Sequence, residues 1–536
     1  MQSQFLNRIS SLKQLSDSPE YDVVVIGGGA TGLGVAVDAA TRGLKVALLE
    51  QHDFAKGTSS RSTKLVHGGV RYLAMGDFKL VHDALRERGI TFANAPHITR
   101  TQPFIIPCYS FFSKLKYLIG LKFYDWLAGR RSIGKSTAVT KAEIQKNFPN
   151  LKSDNLKGGV RYFDGQFDDA RLAINLAQTA TTHGATLINY CKVTGLIKAN
   201  DGKVNGVCFI DLDSGVSREL SAKVVINATG VFVDDVLMMD TGNHKAIVRP
   251  SQGTHIVLDH TFLESEEALM IPKTSDGRVL FGVPWHGHLL IGTTDVPVDH
   301  HSLEPNPTSS EVAFILETAA NYLTKAPKKE DILSVFAGLR PLAAPDDDND
   351  PTKEISRDHK LMVSPSGLVT ITGGKWTTYR KMAEETVNKA LDVAGLPAVA
   401  CQTTTTRIHG YTEHRYSGHL ATYGSDADRI KLLAESNPAW QEKLHHDFEH
   451  IVAEVVWAAR HEMALTVEDV LARRLRILFL NAQASIDMAP KVAEIMAAEL
   501  GKGQDWIMEQ LAQYREVATA YLIKAPRPQV KDNDTK

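Results

Sequence analysis

The chain has 536 residues, an apolar fraction of 43% and a formal net charge of −2. It is too long for a single hydrophobic core, so two or three domains are expected, and its near-neutral balance argues against nucleic acid as a partner. The four cysteines, Cys108, Cys191, Cys208 and Cys401, are scattered without CxxC or metal-ligand spacing, which fits buried thiols in a reducing compartment and offers no metal site.

Residues 1–20 are polar and mixed, lack a signal-peptide core and read as an N-terminal arm with one short helix. No apolar run is long enough to cross a bilayer. The expectation is a soluble protein or one lying on a membrane surface.

From Tyr21 the pattern sharpens. Asp22-Val23-Val24-Val25-Ile26 is a short β-branched run suited to a buried parallel strand, and it leads into Gly27-Gly28-Gly29-Ala30-Thr31-Gly32. In this G-x-G-x-x-G, Gly27 permits the tight turn, Gly29 lets a pyrophosphate approach the backbone, and Gly32 lets helix and strand pack closely. The helix that follows aims its N–H groups at phosphate. A second strand, Leu44–Leu49, ends in Glu50, about 20 residues past the glycines, where an acid holds a ribose hydroxyl pair. Glu50 disfavours the 2′-phosphate of NADP and permits NAD or FAD.

Gly57 to Lys64 is rich in hydroxyls and has no apolar period, so it is a loop. Alone it reads as a solvated Ser/Thr loop. Just after the ribose acid it can wrap an extended cofactor, through Thr58, Ser59, Ser62 and Lys64. Two later strands also run into small residues: Lys223–Asn227 into Ala228-Thr229-Gly230, and Leu368–Thr372 into Gly373-Gly374-Lys375. Three such elements so far apart suit FAD better than a compact NAD site.

A helix is expected near Asp77–Ala93, then a connector over Pro96–Gln102. From Pro103 to Ile144 aromatic residues alternate with Lys and Arg, and Asp125 is the sole acid between Phe111 and Lys135. A strand over Gly159–Asp168, a helix over Asp169–His183 and strands at Ala185–Tyr190, Val204–Leu212 and Ser217–Val225 follow. Gly253–Leu258, Val279–Pro284 and Leu289–Thr293 are strand-like, with a hairpin turn at Trp285–His288. Ala344–Thr352 is an acidic loop and 395–410 a linker. The remainder is helical, with helices expected at Ala453–Ala464 and Val467–Asn481 and a capping pair at Thr466 and Asp469.

The fold class expected is α/β: a Rossmann-type FAD domain (21–95, 165–245 and 355–400) interleaved with an antiparallel substrate domain (96–164 and 246–354), then an all-α C-terminal domain (401–524) and a flexible tail (525–536).

Several cations sit beside predicted turns: Arg71 next to Tyr72, Arg340, Arg357 and Lys375. Singly each reads as a surface cation or structural ion pair. Together they suit an anionic substrate, because arginine binds phosphate through a planar fork. His255 opens a strand and is either a strand histidine with satisfied bonds or the proton acceptor of an alcohol oxidation. His67 is a second candidate and a cofactor contact. Arg340 stays protonated and fits an electrostatic clamp.

The ordered set Val25–Gly32, Thr58-Ser59-Ser60, Lys64–Tyr72, Asp168–Leu172, Asn227–Gly230, Gly292-Thr293-Thr294-Asp295, Gly338–Leu342, Ser356-Arg357-Asp358 and Gly373–Arg380 resembles the FAD-dependent, respiratory glycerol-3-phosphate dehydrogenase family. The resemblance runs from Tyr21 to about Leu500. It implies oxidation of glycerol 3-phosphate to dihydroxyacetone phosphate, with electrons passed to a membrane quinone. The family's substrate-site residues fall on Arg71, Tyr72, His255, Arg340, Arg357 and Lys375. His255 and Arg340 are the catalytic pair. The cofactor contacts fall on Gly27, Gly29, Gly32, Glu50, Thr58, Ser59, Ser62, Lys64, His67, Ala228, Gly230, Gly373, Gly374 and Thr377. Trp376 departs from the smaller apolar residue expected there, and the N-terminal arm is longer. The flavin is expected to be non-covalent, since no His or Cys is placed for a linkage. Implied partners are glycerol 3-phosphate, quinone and an anionic membrane surface, with no nucleic acid and with a homodimer left open. The implied location is cytoplasmic, peripheral on the inner face of the cell membrane. The expected attachment segment is Phe104–Lys135, with the Arg473, Arg474 and Arg476 region second. Competing readings are an oxidase using oxygen, a sarcosine-oxidase-like amine oxidase, and a non-catalytic flavin scaffold.

Overall fold

A computed structural model describes residues 6–18, 20–74, 76–275, 277–344 and 359–523, without the side chains of Arg71 and Ala74. Arg357, most of the acidic loop after Pro341 and the tail from 525 lie outside the described residues.

The first sheet grows from Glu20–Ile26, in which Val23, Val24 and Val25 are wholly buried. Alternate side chains enter opposite cores. Val23 and Val25 meet the helices Ala30–Thr41, Asp169–Thr182 and Tyr379–Ala394, while Val24 and Ile26 meet an antiparallel meander through Val207, Phe209 and Leu220. The strand order is His359–Val363, Val369–Gly373, Ser217–Asn227, Glu20–Ile26, Val46–Leu49, Thr186–Ile188. All neighbours are parallel except the first pair. This buried parallel core brings the carboxyl ends Ile26, Leu49, Asn227 and Gly373 to one edge, where an open α/β sheet holds its ligand. The meander includes Cys191–Lys198, absent from the sequence expectations. Its exposed Lys192 and Thr194 and half-buried Gly195 leave only a weak apolar alternation.

The second sheet is mostly antiparallel. Val248–Asp259 is central, flanked by Ile332–Ala343 and by His288–Gly292; the sheet then continues through Leu280–Trp285, Ala268–Ile271, Thr99–Pro107 and Gly159–Phe167 to Leu65–Val66. Thr99–Pro107 begins inside the stretch expected as a connector, because Thr99 and Thr101 pair with Phe167 and Gly165. Its exposed Arg100 and Thr101 hide the strand in the sequence. The strand Leu65–Val66 carries the chain from the first sheet into the second directly after the hydroxyl-rich loop.

The C-terminal region is helical around Val455, Val456, Leu478, Phe479 and Val492. Asp469 N–H donates to Thr466 Oγ1 at 3.2 Å and Thr466 N–H to Asp469 Oδ2 at 3.0 Å, the expected capping pair. The single helix expected over Val467–Asn481 is broken. A wide turn covers Asp469–Arg474, Arg476 takes a left-handed φ of 69°, and Ile477–Leu480 resumes the helix. The break has an electrostatic cause. Arg473 and Arg474 reach Asp53 at 2.5 and 2.7 Å, and Arg476 reaches Asp169 at 2.7 Å. All three arginines are at most 3% exposed, so the second attachment patch expected from sequence is an internal ion network.

The aromatic segment divides in two. Phe104, Ile105 and Ile106 are sheet core, and Tyr124 is buried with its hydroxyl on Asp164 at 2.6 Å. The helix Phe111–Ala128, capped by Ser110, turns Phe111, Phe112, Leu115, Ile119 and Trp126 outward.

Candidate active site

At the carboxyl ends of the parallel strands lies a cavity of about 550 Å³, lined by Gly27, Gly29, Glu50, Ser59, Ala228 and Gly230 and closed by Gly373 and Gly374. Gly27 has a φ of 106°, and a Cβ there would come within 2.8 Å of the Ala228 carbonyl, so only glycine fits this turn. Gly29 caps the helix Ala30–Thr41 without a side chain, and Gly29, Ala30 and Thr31 line the cavity. Ser59 Oγ takes the Ala30 N–H at 2.9 Å. Glu50 accepts from Gly28 N–H at 2.6 Å and His52 N–H at 2.8 Å. Burial pushes its carboxyl up, against those two N–H groups. Gly32 does not line this cavity; a Cβ there would overlap the Gly27 carbonyl, the close packing of helix on strand expected of it. The glycine cradle, the helix N-terminus and the buried acid fit a dinucleotide.

A second cavity of about 300 Å³ adjoins the first. Thr58, Arg61, Leu339, Pro341, Gly374, Lys375 and Trp376 line both. The second also takes in Ser62, His67, Tyr72, His255, Arg340 and Thr377.

His255 stands on the strand Val248–Asp259 and is 2% exposed. Its Nε2 lies 2.9 Å from Thr63 Oγ1, its Nδ1 is buried without a hydrogen-bond partner among the described residues, and its ring stacks on Phe336 at 5.0 Å. Burial first, then the charges of Lys64 and Arg340, hold the imidazole pKa well below 6.5, which favours the neutral ring. Arg340, on the neighbouring strand, donates to Asp295 Oδ1 at 3.2 Å, Thr293 Oγ1 at 3.2 Å and the Thr294 carbonyl at 3.0 Å. Lys375 Nζ sits 3.6 Å above the Tyr72 ring. His67 N–H donates to Thr377 Oγ1 at 3.1 Å, and that hydroxyl donates to the His67 carbonyl at 3.2 Å, tying the two elements together.

Lys64 differs from its expected place. It lines neither cavity. With a φ of 63° its wholly buried side chain turns inward to Asp169 and the Ser60 carbonyl, both at 2.7 Å. Ser62 lines the second cavity while its hydroxyl donates to Asp169 at 2.7 Å. Arg71 lies in the short helix Val70–Ala74.

Residues outside the sequence expectations complete the walls. Arg61 is paired with Glu304 at 2.6 Å, Trp376 Nε1 donates to the Ser59 carbonyl at 2.9 Å, and Asp295 orients Arg340. Asp295 and Trp376 left a signal, inside the Gly292–Asp295 and Gly373–Arg380 motifs, whereas Arg61 lay unmarked in the hydroxyl-rich loop.

Residues 22–380 match the family described as FAD dependent oxidoreductase, and residues 367–506 match the C-terminal domain of alpha-glycerophosphate oxidase. The mitochondrial glycerol-3-phosphate dehydrogenase of Rattus norvegicus is 40% identical over 96% of this chain and 75% of its own length. A probable mitochondrial glycerol-3-phosphate dehydrogenase of Caenorhabditis elegans is 40% identical over 95% of this chain and 74% of its own. The chain belongs to the FAD-dependent glycerol-3-phosphate dehydrogenase family. A crystal structure of the Bacillus halodurans glycerol-3-phosphate dehydrogenase complexed with FAD superposes with a TM-score of 0.79 at 29% identity, covering 96% of this chain and 98% of that one. An L-alpha-glycerophosphate oxidase of Mycoplasma pneumoniae, at 16% identity and a TM-score of 0.54, shares the fold. Membership makes the chain a flavoenzyme, and the glycine-lined cavity has the turn, helix N-terminus and buried acid that suit a dinucleotide.

Proposed function

We propose that this enzyme oxidises sn-glycerol 3-phosphate to dihydroxyacetone phosphate and passes the electrons to a membrane quinone. The observation that carries the reading is one chamber, joined to the FAD cavity, in which a neutral buried His255 faces space shared with Arg340 and Lys375. FAD, when bound, supplies the hydride acceptor at N5. His255 takes the hydroxyl proton of the substrate. Arg340, held in a fixed fork by Asp295 and Thr293, and Lys375, held over Tyr72, bind the phosphate and stabilise negative charge on the reacting oxygen. Arg71 and Arg357 complete the clamp in this reading. The relatives named as glycerol-3-phosphate dehydrogenases support the choice of substrate. The test is anaerobic mixing of the holoenzyme with glycerol 3-phosphate and, separately, glycerol. Only the phosphorylated substrate should bleach the flavin, and a soluble quinone should restore the colour faster than oxygen. Equal bleaching by glycerol would dismiss the clamp, and fast reoxidation by oxygen with peroxide release would favour the oxidase reading.

The quinone reading requires contact with a bilayer, and no helix among the described residues is long and apolar enough to cross one. The helix Phe111–Ala128 supports peripheral attachment to a membrane, which in this reading is the inner face of the cell membrane. Phe111 and Phe112 are 75% and 79% exposed, Trp126 71%, and Phe78 joins the patch edge-on to Phe123 at 5.6 Å. Lys116, Lys122 and Arg130 are exposed beside them, a pairing suited to anionic headgroups. Lys114 is different, donating to the Val139 carbonyl at 2.9 Å. Phe112→Ser and Trp126→Ser together with Lys122→Glu should release the enzyme from anionic vesicles in flotation and leave dye-linked activity intact. Retained flotation would move the attachment elsewhere.

A further inference from the structure

The loop that feeds the second cavity is anchored by a buried charge cluster on its far side. Asp169, 0% exposed, accepts Ser62 N–H at 3.1 Å, Ser62 Oγ at 2.7 Å and Lys64 Nζ at 2.7 Å on one oxygen, and Arg476 Nη2 at 2.7 Å on the other. Arg476 also donates to the Ser60 carbonyl at 3.2 Å and approaches Asp168 at 3.4 Å. The Lys64 ammonium sits among three rings, 5.1 Å from Trp285, 5.3 Å from Phe479 and 5.6 Å from Phe336.

We propose that Arg476 is a positioning residue: with Lys64 and Asp169 it fixes the loop at Thr63, and Thr63 fixes the imidazole of His255, so that the C-terminal helical domain acts on the proton acceptor through a loop of another domain. The proposal rests on the reading of His255 given above.

Three observations carry it. Thr63 lies between Ser62 and Lys64, and both neighbours are tied to the same carboxylate. Thr63 Oγ1 is the hydrogen-bond partner of the His255 ring, whose other nitrogen has none among the described residues, so Thr63 is the contact that sets the ring's tautomer, while Phe336 stacks on its face. Finally, Arg476 holds a left-handed backbone without being glycine, a strained conformation that persists only where surrounding contacts fix it. Phe336 links the two parts again, stacked on His255 and lying against Lys64. Domain docking does not depend on Arg476, because Arg473 and Arg474 bind Asp53 separately.

A double-mutant cycle on anaerobic flavin reduction by glycerol 3-phosphate tests this. His255→Ala should slow reduction by about 10²–10⁴-fold, as loss of a general base does. Arg476→Gln alone should slow it about tenfold, a typical size for residues coupled through contacts, with FAD content unchanged. In the His255→Ala background, Arg476→Gln should have no further effect. Multiplying effects would overturn the positioning role and leave the proton acceptor standing. A His255→Ala enzyme reducing flavin at the normal rate would sink both. Lys64→Met, run through the same cycle, serves if Arg476→Gln gives no folded protein, with the same outcomes deciding.

Discussion

Replacing Asp53 by asparagine should destabilise the holoenzyme by about 3 kcal/mol, the low end of what breaking a buried ion pair costs. The size follows from what the carboxylate holds. Arg473 Nε donates to it at 2.5 Å, and Arg474 donates at 2.7 and 2.9 Å through both terminal nitrogens. Asparagine keeps the shape and loses the charge. Arg473 retains Glu468 and Asp469, each at 2.7 Å, but Arg474 is left with the Glu462 carbonyl at 2.7 Å and its carboxylate at 3.6 Å. The loss therefore falls mainly on Arg474. Burial alone would raise the Asp53 carboxyl; Arg474 and then Arg473 outweigh it and lower the pKa from 3.8 to about 2. Because the folded value is the lower one, the stabilisation is complete above the unfolded pKa near 4 and disappears as pH falls through about 2. Urea unfolding followed by circular dichroism at pH 7, 5 and 4 measures the gap between wild type and Asp53→Asn. It should stay constant from pH 7 to 5 and begin to close at pH 4. A gap under about 1 kcal/mol at pH 7, the scale of a surface pair, would refute the reasoning.

Arg340→Lys keeps a cation but cannot reach Asp295, Thr293 and the Thr294 carbonyl together; kcat/KM should fall about 10–100-fold, equivalent to the loss of one charge-assisted bond. An unchanged value would remove the fork from the account. Gly27→Ala forces a side chain into a φ of 106° with its Cβ 2.8 Å from the Ala228 carbonyl, so the purified variant should show a much lower flavin-to-protein absorbance ratio than wild type; full occupancy would mean that the turn tolerates a side chain. Acid precipitation of wild type should leave yellow FAD in the supernatant, and flavin kept in the pellet would reveal a covalent link.

Features encoded locally were readable in the sequence. The strand–glycine–helix start, Glu50 and the two later strands ending in small residues depend on neighbours a few positions apart, and the structure brings all of them to one cavity. His255, Arg340 and Lys375 also meet, although 120 residues separate the first from the last; it was the resemblance, not periodicity, that joined them. Lys64 was misplaced because composition describes a loop and not its direction: a left-handed backbone at that one residue turns the side chain away from the cofactor. Arg473, Arg474 and Arg476 carry no sign in the sequence of the acids they meet, since Asp53 and Asp169 lie roughly 300–400 residues earlier in the chain. The same long-range pairing broke the expected helix over Val467–Asn481.

The wall common to the two cavities imposes an order of assembly. Thr58, Arg61, Leu339, Pro341, Gly374, Lys375 and Trp376 face both spaces, so the second chamber should take its final shape from whatever fills the nucleotide side. A chain that has lost its flavin would present not a weakened pocket but a different one, two adjoining spaces with a shared wall. Affinity for substrate should then be a property of the loaded protein alone, and inhibitor screens on flavin-depleted preparations would select compounds for a surface that the working enzyme does not possess.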